Sequence, residues 1–202
     1  MLLDQTRRYY ESKLAQHGAN ARGVDWNSEQ SQHLRFAELA RVFEGEPEAS
    51  VLDYGCGYGA LARYLRQRGH EGPYLGFDIS EQMIRAAREA CTLNGCTFVS
   101  DRGQASVMDY AVASGVLNVK QSATTAEWHA HVLGILDDLA SLGRRGFAFN
   151  VLSTQSDPAR RRDDLYYANP TELFDYCTSR YSRRVALLHD SPLFEFTILV
   201  RR

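Results

Sequence analysis

Apolar and polar residues alternate with a helical period over the first 47 residues of the chain. The pattern predicts one helix over 4–17, ended by Gly18, and a second that begins at Asn27, with Gln30 in the position of a capping box. One face of the second helix is apolar at the spacing i, i+3, i+4, i+7, formed by Phe36, Leu39, Ala40 and Phe43. We therefore expect a helical cap over residues 1–47.

Short apolar runs alternate with helical patterns from residue 48 onward, which favours a parallel sheet covered by helices. The predicted strands of this part are 50–53, 74–78, 97–100, 110–114 and 146–152. The predicted helices are 58–68, 80–93, a long one after a capping box at Thr124 and Glu127, and one over 170–179 that begins after Asn169.

The last two predicted strands, 184–189 and 194–201, have no helix between them. They therefore form a hairpin, in which the last strand is antiparallel to its neighbour. The expected fold class is α/β: a Rossmann-like, seven-stranded, mostly parallel sheet with an antiparallel C-terminal hairpin, helices on both faces and the N-terminal helical cap.

A glycine-rich loop follows the first predicted strand, in the string VLDYGCGYG at 51–59. A strand, a glycine loop and a helix form a nucleotide-binding unit, because glycines let the backbone turn tightly and approach a ligand. The spacing fits both G-x-G-x-G and, with Ala60, G-x-G-x-x-A, so the glycines alone leave the nucleotide open. Asp53 discriminates, since a carboxylate before the loop disfavours a pyrophosphate and suits a ligand with a cationic amino group.

A second acid, Asp78, ends the second predicted strand. An acid at this position holds a ribose diol through two hydrogen bonds, although Asp78 also suits the entrance to a helix that Ser80 caps. Asp53 and Asp78 bracket the glycine loop, one at each strand end. The pair favours an adenosine that carries an amino-acid tail.

These motifs resemble those of the class I S-adenosylmethionine-dependent methyltransferases. The matching segments are LDYGCGYG at 52–59, GFDIS at 76–80 with EQMIRAAR at 81–88, and FVSD at 98–101. The resemblance covers residues 48–202, and it implies that S-adenosylmethionine is the cofactor. It implies that Asp53 and the glycine loop hold the methionine moiety, Asp78 the ribose and Asp101 the adenine edge. The full set of expected contacts is Asp53, Gly55, Cys56, Gly57, Gly59, Asp78, Ile79 and Asp101, with Trp26 and Arg35 from the cap.

Charge and composition narrow the range of partners. The net charge of −2 supplies no general attraction for nucleic acid or for an acidic membrane surface. No apolar run approaches the roughly 18–20 residues of a membrane span, and the first five residues turn polar at once, without the pattern of a signal peptide. The four cysteines lack C-x-x-C spacing, which favours free thiols in a reducing cytoplasm and no metal site.

The methyl acceptor is expected near the loops after the fourth and fifth strands, beyond the carboxyl ends of the sheet. The candidate catalytic residues are His189, Asn150 and Tyr166. Each has a structural alternative: a strand end for His189, backbone contacts for Asn150 and a core aromatic for Tyr166. Other bases considered are His129, His131 and Asp157, the two on the long helix being expected near its solvent side. The run 160–162, three arginines, is either a solvated turn or a site for a phosphate or carboxylate.

The short cap and the lack of an appended nucleic-acid module favour methyl transfer to the oxygen or nitrogen of a small molecule or sugar unit. One alternative is a methyltransferase of a protein or RNA, with Arg7, Arg8 and the 160–162 run as its docking surface. Another is a non-catalytic protein that keeps the cofactor-binding fold. An NAD-dependent oxidoreductase is disfavoured by Asp53 and by the C-terminal hairpin.

Overall fold

The structure is a computed structural model, and it describes residues 2–202. Its strands form one sheet in the order β3-β2-β1-β4-β5-β7-β6. The strands are β1 (Val51–Tyr54), β2 (Tyr74–Phe77), β3 (Cys96–Val99), β4 (Met108–Ala113), β5 (Gly143–Leu152), β6 (Arg184–Leu188) and β7 (Glu195–Arg201). Among them only β7 runs antiparallel to its neighbours β5 and β6. The predicted sheet and its C-terminal hairpin are confirmed.

Helices cover both faces of this sheet. They are α1 (Leu2–His17), α2 (Glu29–Ala40), α3 (Ala60–Gln67), α4 (Glu81–Ala90), α5 (Thr125–Leu142) and α6 (Pro170–Arg180). The predicted capping box of α5 is present, because Thr124 and Glu127 exchange hydrogen bonds. The predicted start of α2 is wrong by one residue: the Ser28 hydroxyl, not Asn27, accepts the hydrogen bond from the Ser31 N–H, at 3.1 Å. A hydroxyl at this position caps the helix as well as an amide does.

Alternate residues of each strand point to opposite faces of the sheet, so the strands feed two apolar clusters. On one face Leu52 and Phe77 pack with Trp128 and Leu136 of α5. On the other face, the side chains from α2 join those of β1, α3 and α4; examples are Phe36, Leu39, Val51, Leu61 and Ile84. The second helix of the cap is therefore part of the main core.

The topology brings the carboxyl ends of β1, β2 and β4 together at one edge of the sheet. Helix α1 lies over this edge, where the Ser80 hydroxyl donates to the Glu11 carboxylate at 2.9 Å and the Ser122 hydroxyl donates to Gln5 at 3.1 Å. No helix within residues 2–202 has the length and apolar character that crossing a bilayer requires.

Candidate functional site

The glycine loop after β1 has a backbone that other residues rarely adopt. Gly55 and Gly57 have φ angles of 79° and 52°. The N–H groups of Gly55 and Cys56 both donate to the Phe77 carbonyl, at 2.7 and 2.9 Å, which ties the loop to the end of β2. Gly59 comes next, where a Cβ would lie 3.1 Å from the Phe98 ring. The loop is thus held close to the sheet, and Gly55 and Gly57 line a cavity.

Asp53 is buried at the end of β1, with 2% of its surface exposed. Burial raises the pKa of its carboxyl to about 7; the hydroxyl of Tyr74, which donates to it at 2.5 Å, opposes the shift, and the negative charge of Asp78 adds to it. Asp53 lines a small cavity of about 40 Å³ behind the glycine loop. A buried carboxyl in this state gains from a cationic partner.

Asp78 follows β2 and faces the other side of the same loop. Its carboxylate accepts hydrogen bonds from the N–H of Gly57 at 3.0 Å and from the N–H of Ser80 at 2.9 Å. Burial nevertheless raises the pKa of Asp78 to about 6. Both predicted acids therefore flank the loop, and Asp78 and Ile79 line the main cavity of the molecule.

The main cavity has a volume of about 400 Å³ and lies under α1 at the carboxyl edge of the sheet. Its walls come from α1, the glycine loop, the β2 end, the β4 end and α5; among them are Leu3, Arg7, Tyr10, Gly57, Met83, Val116, His131, Gly134 and Ile135. The volume falls within the range of small-molecule and cofactor sites. The mixture of apolar walls and a few polar groups fits a nucleoside with a polar tail.

Trp26 lines both the main cavity and the small one that Asp53 lines. Its ring lies 3.9 Å from the guanidinium carbon of Arg35. It also covers Gly115, where a Cβ would come within 2.3 Å of the indole. Beside it the buried hydroxyl oxygen of Ser114 has no hydrogen-bond partner within residues 2–202 and borders both cavities. This unpartnered hydroxyl is the kind of group that a bound ligand satisfies.

Helix α5 supplies polar groups at the far side of the main cavity. Asp138 accepts a hydrogen bond from the Tyr54 hydroxyl at 2.9 Å and one from Arg102 at 3.0 Å. His131 also lines the cavity. Burial lowers the pKa of its imidazole, so the neutral form is favoured there. The expectation that His131 faces solvent is corrected, since the ring is half-buried. Sequence patterns missed this wall because contacts between α5 and β1 depend on how the chain folds back.

Three of the expected cofactor contacts, Gly59, Arg35 and Asp101, are not among the residues that line these two cavities. Arg35 is buried in a bidentate ion pair with Glu195, with N–O distances of 2.7 and 2.9 Å, and its third nitrogen donates to the Ser31 carbonyl. All three guanidinium nitrogens therefore have partners within the protein. Arg35 does not line the main cavity, but it packs against Trp26, which does. Asp101 is exposed, and its carboxylate accepts from the N–H of Gly103 at 2.8 Å, capping a short turn outside the cavity lining.

The three candidate catalytic residues do not line the main cavity. His189 is exposed after β6, with its ring against Phe196. Asn150 is buried, and its amide oxygen accepts from the Gly115 N–H at 3.0 Å, the structural alternative expected for it. Tyr166 is buried, and its hydroxyl pairs with Nδ1 of His129 at 2.7 Å. The Asn150 amide nitrogen is buried and has no hydrogen-bond partner within residues 2–202. The catalytic roles expected of the three residues stay predictions.

Cys56 is buried behind the glycine loop, where burial raises its thiol pKa well above the usual value. All four cysteines are free thiols. Within residues 2–202 no group of three or more histidine, cysteine or acidic side chains is arranged to hold a metal ion.

Comparison with known proteins places this site in context. Residues 51–135 match a family model described as a methyltransferase domain. The chain is 47% identical over 169 residues to Rv1506c of Mycobacterium tuberculosis (strain H37Rv), a protein named as a methyltransferase; the match covers 80% of this chain and 98% of the relative.

Solved structures share the overall fold. Magnesium protoporphyrin IX methyltransferase from Synechocystis PCC 6803 with bound SAH (S-adenosylhomocysteine) matches with a TM-score of 0.71 and 18% identity, covering 100% of both chains. The plantazolicin methyltransferase BpumL, in complex with a triazolic analog and SAH, matches with a TM-score of 0.66 and 13% identity, covering 98% of this chain and 95% of the other. At these identities the likeness concerns the fold alone.

Proposed function

Because the chain belongs to the class I S-adenosylmethionine-dependent methyltransferases, we propose that its acceptor is the oxygen or nitrogen of a small molecule or a sugar unit. The methyl donor of this enzyme is S-adenosylmethionine. The observation that supports a small acceptor is the roof over the site. Helix α1 and the Trp26 segment lie over the carboxyl edge of the sheet and line a cavity of about 400 Å³, a volume typical of small-molecule sites.

The proposed cofactor position follows the polar groups around the glycine loop. Asp53 receives the cationic amino group of the methionine tail. Asp78 receives the ribose hydroxyls with the lone pairs that Gly57 and Ser80 leave free. Ile79 and Val116 hold the adenine between apolar surfaces, and Asp101 has no part in this arrangement.

When bound, the cofactor supplies a sulfonium methyl group, which an acceptor nucleophile attacks in line as the sulfur leaves with the bonding pair. The protein's part is to align the two reactants and to exclude water. Trp26 and Tyr10 are placed to do this, since both line the cavity beside Gly115. The Ser114 hydroxyl is free to hold an acceptor atom by a hydrogen bond.

The alternatives make different demands on the surface. A protein or RNA methyltransferase needs an accessible basic docking area, yet the three arginines at 160–162 are engaged locally. Arg161 donates to the carbonyls of Thr154 and Ser156, and Arg162 pairs with Asp164. The other alternative, a non-catalytic protein of the same fold, requires only that the cofactor binds. The cytoplasmic location and the division into a cap (1–47) and a core (48–202) stay predictions from the sequence.

Radiolabelled S-adenosylmethionine distinguishes these functions. The purified protein is incubated with metabolite and glycan fractions and, separately, with protein and RNA fractions. We expect label in a small-molecule or glycan product and none in the polymers. The Asp53→Ala variant is the control, because it should bind S-adenosylhomocysteine weakly in calorimetry and transfer no label. Label that enters only protein or RNA contradicts the proposed acceptor class, and binding without transfer to any fraction favours the non-catalytic alternative.

A further inference from the structure

A second pocket lies on the outer side of the Trp26 segment. It has a volume of about 270 Å³ and is lined by Lys13, His17, Arg22, Asp25, Trp26 and Asn27. Helix α1 contributes the first two side chains, and the turn after it contributes the others. Trp26 also lines the main cavity, so this one residue borders both the pocket and the cofactor site.

The pocket has an excess of positive charge. Its single acid, Asp25, is already neutralised: one oxygen accepts from the Lys13 ammonium at 2.8 Å, and the other accepts from the Tyr9 hydroxyl at 2.5 Å. The guanidinium of Arg22 makes no hydrogen bond or ion pair within residues 2–202, and it is exposed at the rim. Arg22 therefore supplies an uncompensated cation with planar donors, which suits a phosphate or a carboxylate.

The backbone that carries Arg22 and Trp26 is tightly built. The Asn20 side chain accepts from the N–H of Arg22 at 2.9 Å and caps the turn. Gly23 packs so closely that a Cβ would lie 2.0 Å from the Gly18 carbonyl oxygen. Asp25 has a φ of 61°, a conformation that residues other than glycine seldom adopt. This segment is thus fixed before any ligand binds, which lowers the entropic cost of binding.

We propose that this pocket binds an anionic group, a phosphate or a carboxylate, of the methyl acceptor. The inference rests on the proposed function for the identity of the ligand as acceptor. The anion contacts Arg22, Lys13 and His17, and the acceptor body runs along Trp26 towards Ser114. The sequence suggests a different anion site, the three arginines at 160–162. In the structure the guanidinium groups of Arg161 and Arg162 donate hydrogen bonds to oxygens of neighbouring residues, so we place the anion in this pocket instead.

The two tryptophans of the chain provide the test. Trp26 borders the pocket, whereas the Trp128 indole is buried and donates to the Leu117 carbonyl at 2.7 Å. The ¹⁵N-labelled protein, saturated with S-adenosylhomocysteine at low ionic strength, is titrated with sodium phosphate, sodium acetate or sodium chloride. We expect phosphate or acetate to move the Trp26 indole resonance saturably, with no comparable change for Trp128 or with chloride. The stronger of the two anions identifies the acceptor group.

Arg22→Met is the decisive variant, and Arg85→Met is its matched control. Arg85 is an exposed arginine on α4, away from the pocket. We expect Arg22→Met to weaken anion binding about tenfold, the effect of losing one charged hydrogen bond, and Arg85→Met to leave it unchanged. Equal affinities in the two variants, or no saturable shift of Trp26 with either anion, overturn the proposal. Calorimetry with S-adenosylhomocysteine tests the cofactor site separately, so failure there concerns the proposed function.

Discussion

Asp53 and Asp78 are two carboxyls whose pKa values burial raises to about 7 and about 6. In the unfolded chain an aspartate has a pKa near 3.9. The folded, ligand-free protein therefore binds protons at these sites more tightly than the unfolded chain does. Linkage then requires that these two groups lower stability as the pH rises from about 4 to about 7. A cationic ligand beside Asp53 opposes this effect, because it favours the ionised carboxylate.

Cofactor binding should depend on pH through Asp53. The amino group of S-adenosylhomocysteine gains most from an ionised carboxylate, so we expect its affinity to rise between pH 6 and pH 8, with release of a proton on binding. Calorimetry in two buffers of different ionisation enthalpy measures the proton release. In Asp53→Asn, affinity should fall about tenfold or more at pH 8, and the proton release should be lost.

Asn replaces Asp at nearly constant shape, so the variant separates charge from packing against Tyr74. The corresponding Asp101→Asn variant is the control, because Asp101 lies outside the cavity and should change neither affinity nor proton release. Proton release that survives in Asp53→Asn would show that another group responds to the ligand.

Single residues differ in how far the sequence determines their role. The roles of Asp53 and Asp78 are predictable because each ends an apolar run that predicts a strand, and strand ends in a parallel sheet share one edge. As an arginine of the cap, Arg35 suggests a partner for the cofactor carboxylate, and the sequence contains no sign of Glu195, its partner 160 positions away. His131 and Asp138 were missed as cavity residues for the same reason: the side of α5 that meets the site depends on long-range packing.

At the scale of the element, α5 contains a glycine at the mouth of the main cavity. Gly134 lines the cavity, and a Cβ built on it meets no atom within 4 Å. Glycine inside a helix is less favourable than alanine or leucine by about 1 kcal/mol. Gly134→Leu should therefore stabilise the ligand-free protein, by roughly 2–4 °C in Tm for a chain of this size, while its side chain obstructs the cavity.

We expect Gly134→Leu to weaken S-adenosylhomocysteine binding in calorimetry although calorimetric unfolding shows a higher Tm. Gly134→Ala is the matched control: it should raise the Tm to a similar extent and leave binding within a factor of about two, since a methyl group takes little of the space. Unchanged affinity in the leucine variant would place the ligand away from α5.

The predicted elements were mostly found because they depend on local signals. The capping box at Thr124 and the proline after Asn169 mark helix starts wherever the chain lies, and the structure has helices there. The run of five strands was visible from apolar content alone. The position of α1 over the cavity is not predictable in this way. Its helical period predicts a helix, but it does not indicate which surface of the protein the helix covers.

At the scale of the whole molecule, the cap and the core are joined by buried contacts. Phe36 and Leu39 of α2 share an apolar cluster with β1 and α3, and Arg35 of α2 pairs with Glu195 of β7 while both are buried. Breaking a buried ion pair by removal of one partner costs about 3–5 kcal/mol. We infer that residues 1–47 and 48–202 unfold together.

The two tryptophans report on the two parts, Trp26 on the cap and Trp128 on the core. Each of the variants Trp26→Phe and Trp128→Phe keeps one tryptophan, whose fluorescence follows unfolding in urea. We expect the fluorescence transition of each variant to coincide with the circular dichroism transition of the same variant. Adding Arg35→Met to either variant should lower the urea concentration at the midpoint of unfolding that the remaining tryptophan reports. A fluorescence transition of Trp26 that precedes the loss of the sheet would show that the cap unfolds alone.

The position of Leu3 on the cavity wall has a practical consequence for fusion proteins. Any tag or fluorescent protein joined ahead of α1 emerges beside the mouth of the cofactor cavity. The other end of the chain is more favourable, because β7 runs antiparallel and its last residue, Arg201, pairs with Gly146 and Arg184 near the amino ends of the parallel strands. Reporters and purification handles are therefore best attached after Arg202, across the sheet from the chemistry.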